Sequence, residues 1–191
     1  MADAPPELWL ARHGDTAWTV SRQHTSRTDL ELNDDGVAAA RSLVAKLSGR
    51  DYDVVLTSPL RRARDTARLA GFPDAVVDDR LREFDYGSYE GLTTAEIRES
   101  RPGWDLWTDG GGPGGETVQE AGRRLDEVVA RIRADAPTRA LVFGHGHALR
   151  ILAARWLALA PAEGRVLLLG PAGVGVIGSE HGRAAIRRWG L

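Results

Sequence analysis

Four short apolar runs that alternate with longer amphipathic segments constrain the fold of this chain more than any other feature. The runs have the length of buried strands, and they cover residues 8–11, 54–57, 75–77 and 140–143. The amphipathic segments have apolar residues at helical spacing, and they cover residues 37–47, 60–70, 116–135 and 148–159. Strands that alternate with helices form a mostly parallel sheet with helices on both faces. The pattern therefore predicts an α/β fold in the form of a three-layer α/β/α sandwich.

Capping residues set the expected starts of two helices. Asn33 or Asp34 is suited to cap the first helix, because a short polar side chain can accept the free N–H groups of the first turn. Ser58 is suited to cap the second helix, and Pro59 fits its first turn.

The long polar region over 78–115 predicts a cap or lid. It contains a short helix over 93–99 and a glycine-rich loop over 110–115 that no regular element can include. The tail over 166–189 is predicted to form strands with a hairpin turn at His181-Gly182. We expect one domain over 1–191, because single domains commonly contain ~100–200 residues.

Composition excludes several classes of protein. The chain has no cysteine, which excludes a disulfide scaffold, a thiol nucleophile and a thiolate metal site. Its net charge of −2 and pI near 6.2 argue against nucleic acid as a partner. No apolar run reaches the ~18–20 residues of a membrane helix, and residues 1–6 lack the pattern of a secretory signal. We therefore expect a cytoplasmic protein with no membrane partner, and a homodimer is compatible with the sequence.

Histidine and arginine residues follow three of the predicted strands. Arg12 and His13 come directly after the first strand, Arg62 follows the run over 54–57, and His145 follows the run over 140–143. The carboxyl ends of parallel strands share one edge of a sheet, where ligands bind. Arginines would repel a metal dication, whereas guanidinium groups match phosphate oxygens. A histidine beside arginines stays neutral and is a competent nucleophile. The pattern therefore favours a metal-free site for phosphoryl transfer.

Five blocks of the chain resemble, in order, the motifs of the histidine phosphatase superfamily. Residues 10–18 (LARHGDTAW) resemble its RHGETxWN signature, and residues 57–67 (TSPLRRARDTA) resemble its SPLxRAxQTA motif. The other three blocks are residues 28–36, 81–91 and 143–150. The resemblance extends from residue 8 to about residue 159 and implies a phosphoglycerate mutase-like fold. Within the superfamily, the chain is most similar to small bacterial acid phosphatases and to sugar-bisphosphatase-like members.

The resemblance implies the roles of ten residues and implies neither a metal nor a cofactor. His13 would become a phosphohistidine, while Arg12 and Arg62 hold the phosphoryl oxygens. His145 would stabilise the transition state, and Glu83 would protonate the leaving alcohol and then take a proton from water. The implied catalytic residues are His13, Arg12, Arg62, Glu83 and His145, and the implied substrate-binding residues are Thr25, Ser26, Tyr86, Gly146 and His147.

The chain departs from the superfamily pattern at three positions. Thr19 stands where asparagine is frequent, Asp15 where glutamate or glutamine is usual, and Gly144 where serine or alanine commonly precedes the second histidine. The first departure affects one contact to phosphate, and none removes an implied catalytic group.

Simpler structural roles compete with some of these assignments. Glu83 lies in a charged stretch and also fits a solvated acid, and Glu90 is a competing acid more typical of a structural role. His147 fits a substrate contact and a packing role about equally. We assign a role in packing or on the exposed surface to His24, His181, Trp104, Trp107, Arg61, Arg64 and Arg68.

The hypothesis favoured by the sequence is a metal-independent phosphomonoesterase that acts on a small phosphorylated metabolite. The alternative is a cofactor-dependent phosphoglycerate mutase. Family mutases carry a lysine and paired arginines between the Glu83 and His145 blocks, but Lys46 is the only lysine of this chain and lies outside them. A noncatalytic phosphate-binding module is disfavoured because all five implied catalytic residues are present.

Overall fold

A single six-stranded sheet organises the computed structural model, which describes residues 5–191. The strands are β1 (Glu7–Arg12), β2 (Val54–Thr57), β3 (Val76–Val77), β4 (Arg139–Gly144), β5 (Val174–Glu180) and β6 (Arg183–Trp189). They lie in the order β3-β2-β4-β1-β5-β6. The first four strands are mutually parallel. Strand β5 lies antiparallel beside β1, and β6 lies antiparallel beside β5. The predicted mostly parallel sheet is confirmed, with an antiparallel hairpin at one side.

Helices cover both faces of the sheet. They are α1 (Ala17–Ser21), α2 (Asp34–Leu47), α3 (Arg61–Leu69), α4 (Thr94–Ser100), α5 (Leu106–Asp109), α6 (Val118–Asp135) and α7 (Gly146–Trp156), with 3₁₀ turns at Asp79–Leu81, Gly87–Tyr89 and Pro161–Val166. Side chains along β1 alternate between two cores because successive residues of a strand point to opposite faces. Leu8 and Leu10 join the core beneath α6 and α7, whereas Trp9 and Ala11 join the core beneath α2 and α3. The three-layer α/β/α architecture is therefore confirmed.

Of the two helix caps predicted from the sequence, one is present and one is not. Asn33 caps α2, and its side chain accepts a hydrogen bond from the N–H of Gly36. Helix α3 begins after Leu60 without a side-chain cap, so the prediction for Ser58 was wrong. The hydroxyl oxygen of Ser58 accepts from the N–H of Leu60 at 3.3 Å, ahead of the helix, and contacts His145 at 2.7 Å, because the two strand ends that carry these residues converge.

The C-terminal third differs from its prediction in three boundaries. Helix α7 begins at Gly146, two residues before the expected start, and ends at Trp156 ahead of Ala158, whose φ is positive. The tail forms a 3₁₀ turn at Pro161–Val166, so its strands start at Val174 rather than at residue 166. The predicted hairpin turn is present, with φ of 48° at His181 and 76° at Gly182, as a tight two-residue hairpin requires.

The glycine-rich loop over 110–115 packs tightly against the segment that carries Tyr86. A Cβ atom on Gly115 would lie 2.6 Å from the Asp85 carbonyl oxygen and 2.8 Å from the Gly87 nitrogen. A Cβ atom on Gly111 would lie equally close to the Asp85 carbonyl oxygen. Any larger residue at these two positions would displace the segment that carries Tyr86. The loop therefore packs directly against the backbone of that segment.

The expectation that residues 1–6 are not a secretory signal falls partly outside the residues that the structure describes. Within residues 5–191, no helix has both the length and the apolar character that crossing a lipid bilayer requires.

Candidate active site

Three neighbouring strands of the sheet deliver His13, His145 and Arg62 to one place. Strand β1 ends at Arg12 next to His13, β4 ends at Gly144 next to His145, and β2 leads into α3, which carries Arg62 in its first turn. The ring centroids of His13 and His145 are 5.1 Å apart, and both side chains are buried. The expected meeting of strand ends therefore occurs.

The turn after His13 depends on a close approach of two glycines. A Cβ atom on Gly14 would lie 2.3 Å from the carbonyl oxygen of Gly36, and a Cβ atom on Gly36 would lie 2.1 Å from the carbonyl oxygen of Asp15. The N–H of Gly14 also donates to the Thr66 hydroxyl at 3.1 Å. This contact between the β1 loop and the start of α2 fixes the position of His13.

Hydrogen bonding fixes the tautomer of His13. Its Nδ1 lies 2.7 Å from the carbonyl oxygen of Gly14, and a carbonyl oxygen can only accept. The proton of the neutral ring is therefore on Nδ1, which leaves a lone pair on Nε2. Burial lowers the pKa of His13 well below 6.5, and the charges of Arg12 and Arg62 lower it further. His13 thus has the state that a nucleophile needs.

Arg12 carries a buried donor with no partner among the described residues. Its Nη1 donates to the Leu169 carbonyl oxygen at 2.7 Å, but its Nε has no hydrogen-bond acceptor. A Cβ atom on Gly146 would lie 3.2 Å from Cζ of Arg12, so glycine leaves the room that the guanidinium occupies. A buried unpaired donor is costly, and an anion that accepts from Nε would remove that cost.

Arg62 and His145 form a hydrogen-bonded chain with Ser58. Arg62 Nε donates to His145 Nδ1 at 3.2 Å, so the proton of the neutral ring is on Nε2, which donates to the Ser58 hydroxyl oxygen at 2.7 Å. Burial, followed by the charge of Arg62, lowers the pKa of His145 well below 6.5. The chain therefore stabilises neutral His145, and protonation of Nδ1 would require Arg62 Nε to move away.

Backbone carbonyl groups hold Arg62 on its other side. Its Nη1 donates to the Thr28 carbonyl oxygen at 3.0 Å, and its Nη2 donates to the Ser26 carbonyl oxygen at 3.2 Å. The Glu90 carboxylate accepts from the N–H groups of Ser26 and Thr28 at 3.0 and 2.7 Å. Glu90 therefore has the structural role that its block favoured, and Ser26 contributes its backbone to the placement of Arg62.

The buried Glu83 carboxylate caps the N-terminus of α7. Its oxygens accept from the N–H groups of His147 at 3.1 Å, Ala148 at 2.8 Å and Phe84 at 2.9 Å. The first N–H groups of a helix have no partner within the helix, and the oxygens of Glu83 accept from two of them here. The hydrogen bonds exclude the solvated-acid interpretation of Glu83 and orient its oxygens at the cavity wall.

A cavity of about 250 Å³ opens in front of His13. Its walls are formed by Arg12, His13, Trp18, Thr19, Arg22, Gln23, His24, Thr25, Glu83, Tyr86, Gly146, His147 and Arg150. Seven of the ten site residues predicted from the sequence lie in these walls. The other three, Arg62, His145 and Ser26, lie behind the walls, where they contact one another or the ring of His13.

Sequence reasoning missed His24 as a wall residue. Its ring centroid lies 4.6 Å from that of Tyr86, and burial lowers its pKa to about 4. The hydroxyl of Tyr86 lies 2.6 Å from Nδ1 of His147, which places His147 at the cavity rather than in the core. The only signal for His24 was its position one residue before Thr25.

Arg150 is the second residue that was missed. Its Nε and Nη2 donate to the carbonyl oxygens of Gly164 and Arg165 at 2.9 and 2.7 Å, and its guanidinium stacks 4.5 Å from the centroid of the Trp107 ring. It makes no ion pair within residues 5–191, so a held positive charge faces the cavity. Its place in the block over 143–150 was the available signal.

The residues assigned to packing or surface otherwise lie where expected. Trp104 is buried and donates from Nε1 to the Gly110 carbonyl oxygen at 3.1 Å. The surface residues Arg61, Arg64, Arg68 and His181 are exposed. Within residues 5–191, no group of three or more His, Cys, Asp or Glu side chains is arranged to hold a metal ion.

We expect the folded state to lose stability as the pH falls below about 6.5. Burial lowers the pKa values of His13, His24, His145 and His147 in the folded state, so the unfolded chain binds protons first. The free energy of unfolding therefore has its highest value at pH values above the pKa of histidine in the unfolded chain. It declines as the pH falls below that value, and the contribution of each histidine stops changing once the pH is below its pKa in the folded state. For His24 the shift to about 4 corresponds to at most about 3 kcal/mol by pH 4.

Urea unfolding between about pH 7.5 and pH 5 measures this decline. His24→Phe keeps an aromatic ring against Tyr86. It should reduce the change of the free energy of unfolding with pH by the contribution of one histidine. His181→Phe, at the exposed hairpin, is the matched control. Equal slopes for the wild-type protein and His24→Phe would contradict the assignment.

Comparisons with known proteins agree on one family. The model of the histidine phosphatase superfamily (branch 1) matches residues 8–191. An acid phosphatase of Mycobacterium tuberculosis is 43% identical over 188 residues, which cover 96% of this chain and 92% of that protein. A sedoheptulose 1,7-bisphosphatase of Saccharomyces cerevisiae is 37% identical, over 83% of this chain and 70% of that protein.

A solved structure supports the same relationship. The structure of the open reading frame Rv3214 from Mycobacterium tuberculosis has a TM-score of 0.92 against this chain. It is 41% identical, and the match covers 97% of each chain.

Proposed function

The chain belongs to the histidine phosphatase superfamily (branch 1), and on that premise we propose that it hydrolyses a small phosphorylated metabolite through a phosphohistidine at His13. One observation carries the proposal. The neutral His13, with its lone pair on Nε2, is preceded in the chain by Arg12, whose buried Nε has no partner among the described residues. A phosphate ester would supply the missing acceptor and the electrophile together.

In the first step, Nε2 of His13 attacks phosphorus as the bond between phosphorus and the alcohol oxygen breaks. Arg12 and Arg62 offset the charge of the transferring group, which is the main requirement of phosphoryl transfer. Glu83 gives a proton to the leaving alkoxide, because an alcohol is a poor leaving group without one.

In the second step, a water molecule attacks the phosphohistidine. Glu83, now a carboxylate, takes a proton from that water, the bond between nitrogen and phosphorus breaks, and inorganic phosphate leaves. His145 takes part by exchanging one acceptor for another. Its Nε2–H, which donates to Ser58 in the structure, turns to a phosphoryl oxygen. This role needs no protonated His145.

The rest of the cavity wall supports binding of the alcohol part of the substrate. Thr25 and Tyr86 line the cavity. The Tyr86 hydroxyl contacts Nδ1 of His147, and Nε2 of His147 has no hydrogen-bond partner among residues 5–191. The volume of about 250 Å³ lies below the ~300–1,000 Å³ of pockets for drug-sized ligands, which favours a small metabolite.

Phosphate release from a panel of phosphorylated sugars, glycerates and nucleotides tests the proposal. We expect release from at least one small ester, with full activity in excess EDTA. Loss of activity in EDTA would contradict a metal-independent reaction. Interconversion of 3-phosphoglycerate without phosphate release would favour the mutase instead. Against the mutase, the sole lysine, Lys46, donates to the carbonyl oxygens of Ala172 and Leu191 and does not line the cavity.

A further inference from the structure

A second concave site lies at the opposite edge of the sheet. This basal cleft has a volume of about 1020 Å³, and its walls include Glu7 at the start of β1, Arg139 at the start of β4, and Arg187 and Arg188 of β6. It shares no wall residue with the cavity at His13. Strand β1 separates the two sites by ~17 Å, at ~3.3 Å for each residue from Glu7 to Arg12.

The walls of the basal cleft are strongly positive. They carry five arginines, namely Arg50, Arg133, Arg139, Arg187 and Arg188, and one carboxylate, Glu7. Arg139 Nε pairs with Glu7 at 2.7 Å, whereas the other four form no ion pair within residues 5–191. Among the described residues, five arginines against one carboxylate leave four excess positive charges in the walls of one cleft, in a chain whose net charge is −2. Elsewhere, arginines of the surface mostly pair with acids, as Arg155 does with Asp126 at 2.7 Å.

Backbone carbonyl groups hold three of these unpaired arginines without neutralising them. Arg50 donates to Lys46 at 2.6 Å, Arg133 donates to Trp156 at 3.1 Å, and Arg187 donates to Ser179. A carbonyl acceptor fixes the direction of a guanidinium but leaves its charge and its other N–H groups free. Such preorganised donors lose little conformational entropy when they bind an anion.

Side-chain packing adds to this arrangement. The guanidinium of Arg50 lies 4.5 Å from the centroid of the Trp9 ring. Arg187 crosses β5 over Gly178, where a Cβ atom would lie 3.0 Å from Cγ of the arginine. Arg50 and Arg187 are thus held in place by packing as well as by hydrogen bonds.

We infer that the basal cleft is a binding site for a small polyphosphate, a ligand with linked phosphate groups and at least three negative charges. Guanidinium forks match phosphate oxygens in pairs, and the number of uncompensated arginines exceeds what one phosphate dianion can offset. A long nucleic acid fits less well, because the negative charge of the whole chain opposes its approach. The site is independent of the proposed phosphatase reaction.

Calorimetric titration with tripolyphosphate tests the inference. The titration uses the full chain carrying His13→Ala, to prevent turnover, in saturating inorganic phosphate, to fill the catalytic cavity. We expect one tripolyphosphate per chain. The double substitution Arg187→Gln/Arg188→Gln should weaken binding about 100-fold, because each lost charge-assisted contact corresponds to about tenfold.

The matched control removes the same two charges elsewhere. Arg41→Gln/Arg64→Gln changes exposed arginines of α2 and α3 that form no ion pair within the described part of the chain, and it should alter the dissociation constant by no more than about twofold. Arg133→Gln on α6 is a second test if the β6 variant is unstable. Absence of binding both in saturating phosphate and in a titration without phosphate would overturn the inference. Equal weakening by the two double variants would also overturn it, since it would reflect net charge alone.

Discussion

Replacement of His13 by alanine is expected to lower kcat for phosphate release by about 10⁶-fold, the scale on which loss of a covalent nucleophile acts. The reason is specific to this site. The lone pair on Nε2 of His13 is set by the bond from Nδ1 to Gly14, and neutral His145 has both ring nitrogens engaged by Arg62 and Ser58. His145 therefore has no free lone pair with which to replace it.

Initial rates of phosphate release measure this loss. His181→Ala at the exposed hairpin is the matched control and should retain full activity. Urea unfolding of both variants separates a loss of chemistry from a loss of fold. Brief reaction with a ³²P-labelled substrate followed by a denaturing quench should trap an acid-labile phosphoprotein in the wild-type protein and none in His13→Ala. Turnover that is unchanged in His13→Ala would refute the phosphohistidine.

Glu83→Gln is expected to separate the two steps of the reaction. Loss of general acid help costs ~10²–10⁴-fold when the leaving group is an alcohol. The loss should be far smaller for phosphorylation by p-nitrophenyl phosphate, because nitrophenolate leaves without a proton. Water attack still needs the base, so the variant should release one nitrophenolate per chain in a burst and then accumulate phosphoenzyme.

Stopped-flow absorbance measures the burst, and the alkyl substrate is assayed in parallel. The amide can keep the bonds from Phe84 and Ala148 but not the one from His147, so we expect a stability loss of about 1–3 kcal/mol. Glu127→Gln on the exposed side of α6 is the control. Equal losses with both substrates would show that Glu83 positions α7 and transfers no proton.

The sheet and the first half of the site could be predicted from the sequence because their signals are local. Arg12 and His13 adjoin an apolar run, so a single loop carries them to the carboxyl edge of the sheet. Helix starts with a polar cap, such as Asn33, are likewise visible in a few residues. The resemblance of five blocks supplied what local signals could not, above all the assignment of Glu83.

The parts that escaped prediction depend on contacts between distant segments. His24 contacts Tyr86, which lies 62 positions later in the chain, and no residue near His24 in the sequence indicates that contact. Ser58 has a side chain that could cap a helix, but β2 and β4 converge, and its hydroxyl accepts a hydrogen bond from His145. The glycines over 110–115 indicate a loop, yet their close contact with Asp85 and Gly87 is a tertiary property.

The contact between Gly14 and Gly36 limits how this sequence can diverge. Each position excludes a side chain because of the backbone of the other segment, and no change of side chain at one site can make room for a side chain at the other. The two positions are thus closed to compensatory substitution, although 22 residues separate them. Gly170, with no atom within 4 Å of its added Cβ, has no such steric limit. Random mutation of this enzyme should consequently preserve glycine at both positions of this contact. Glycines without such a steric limit should accept other residues.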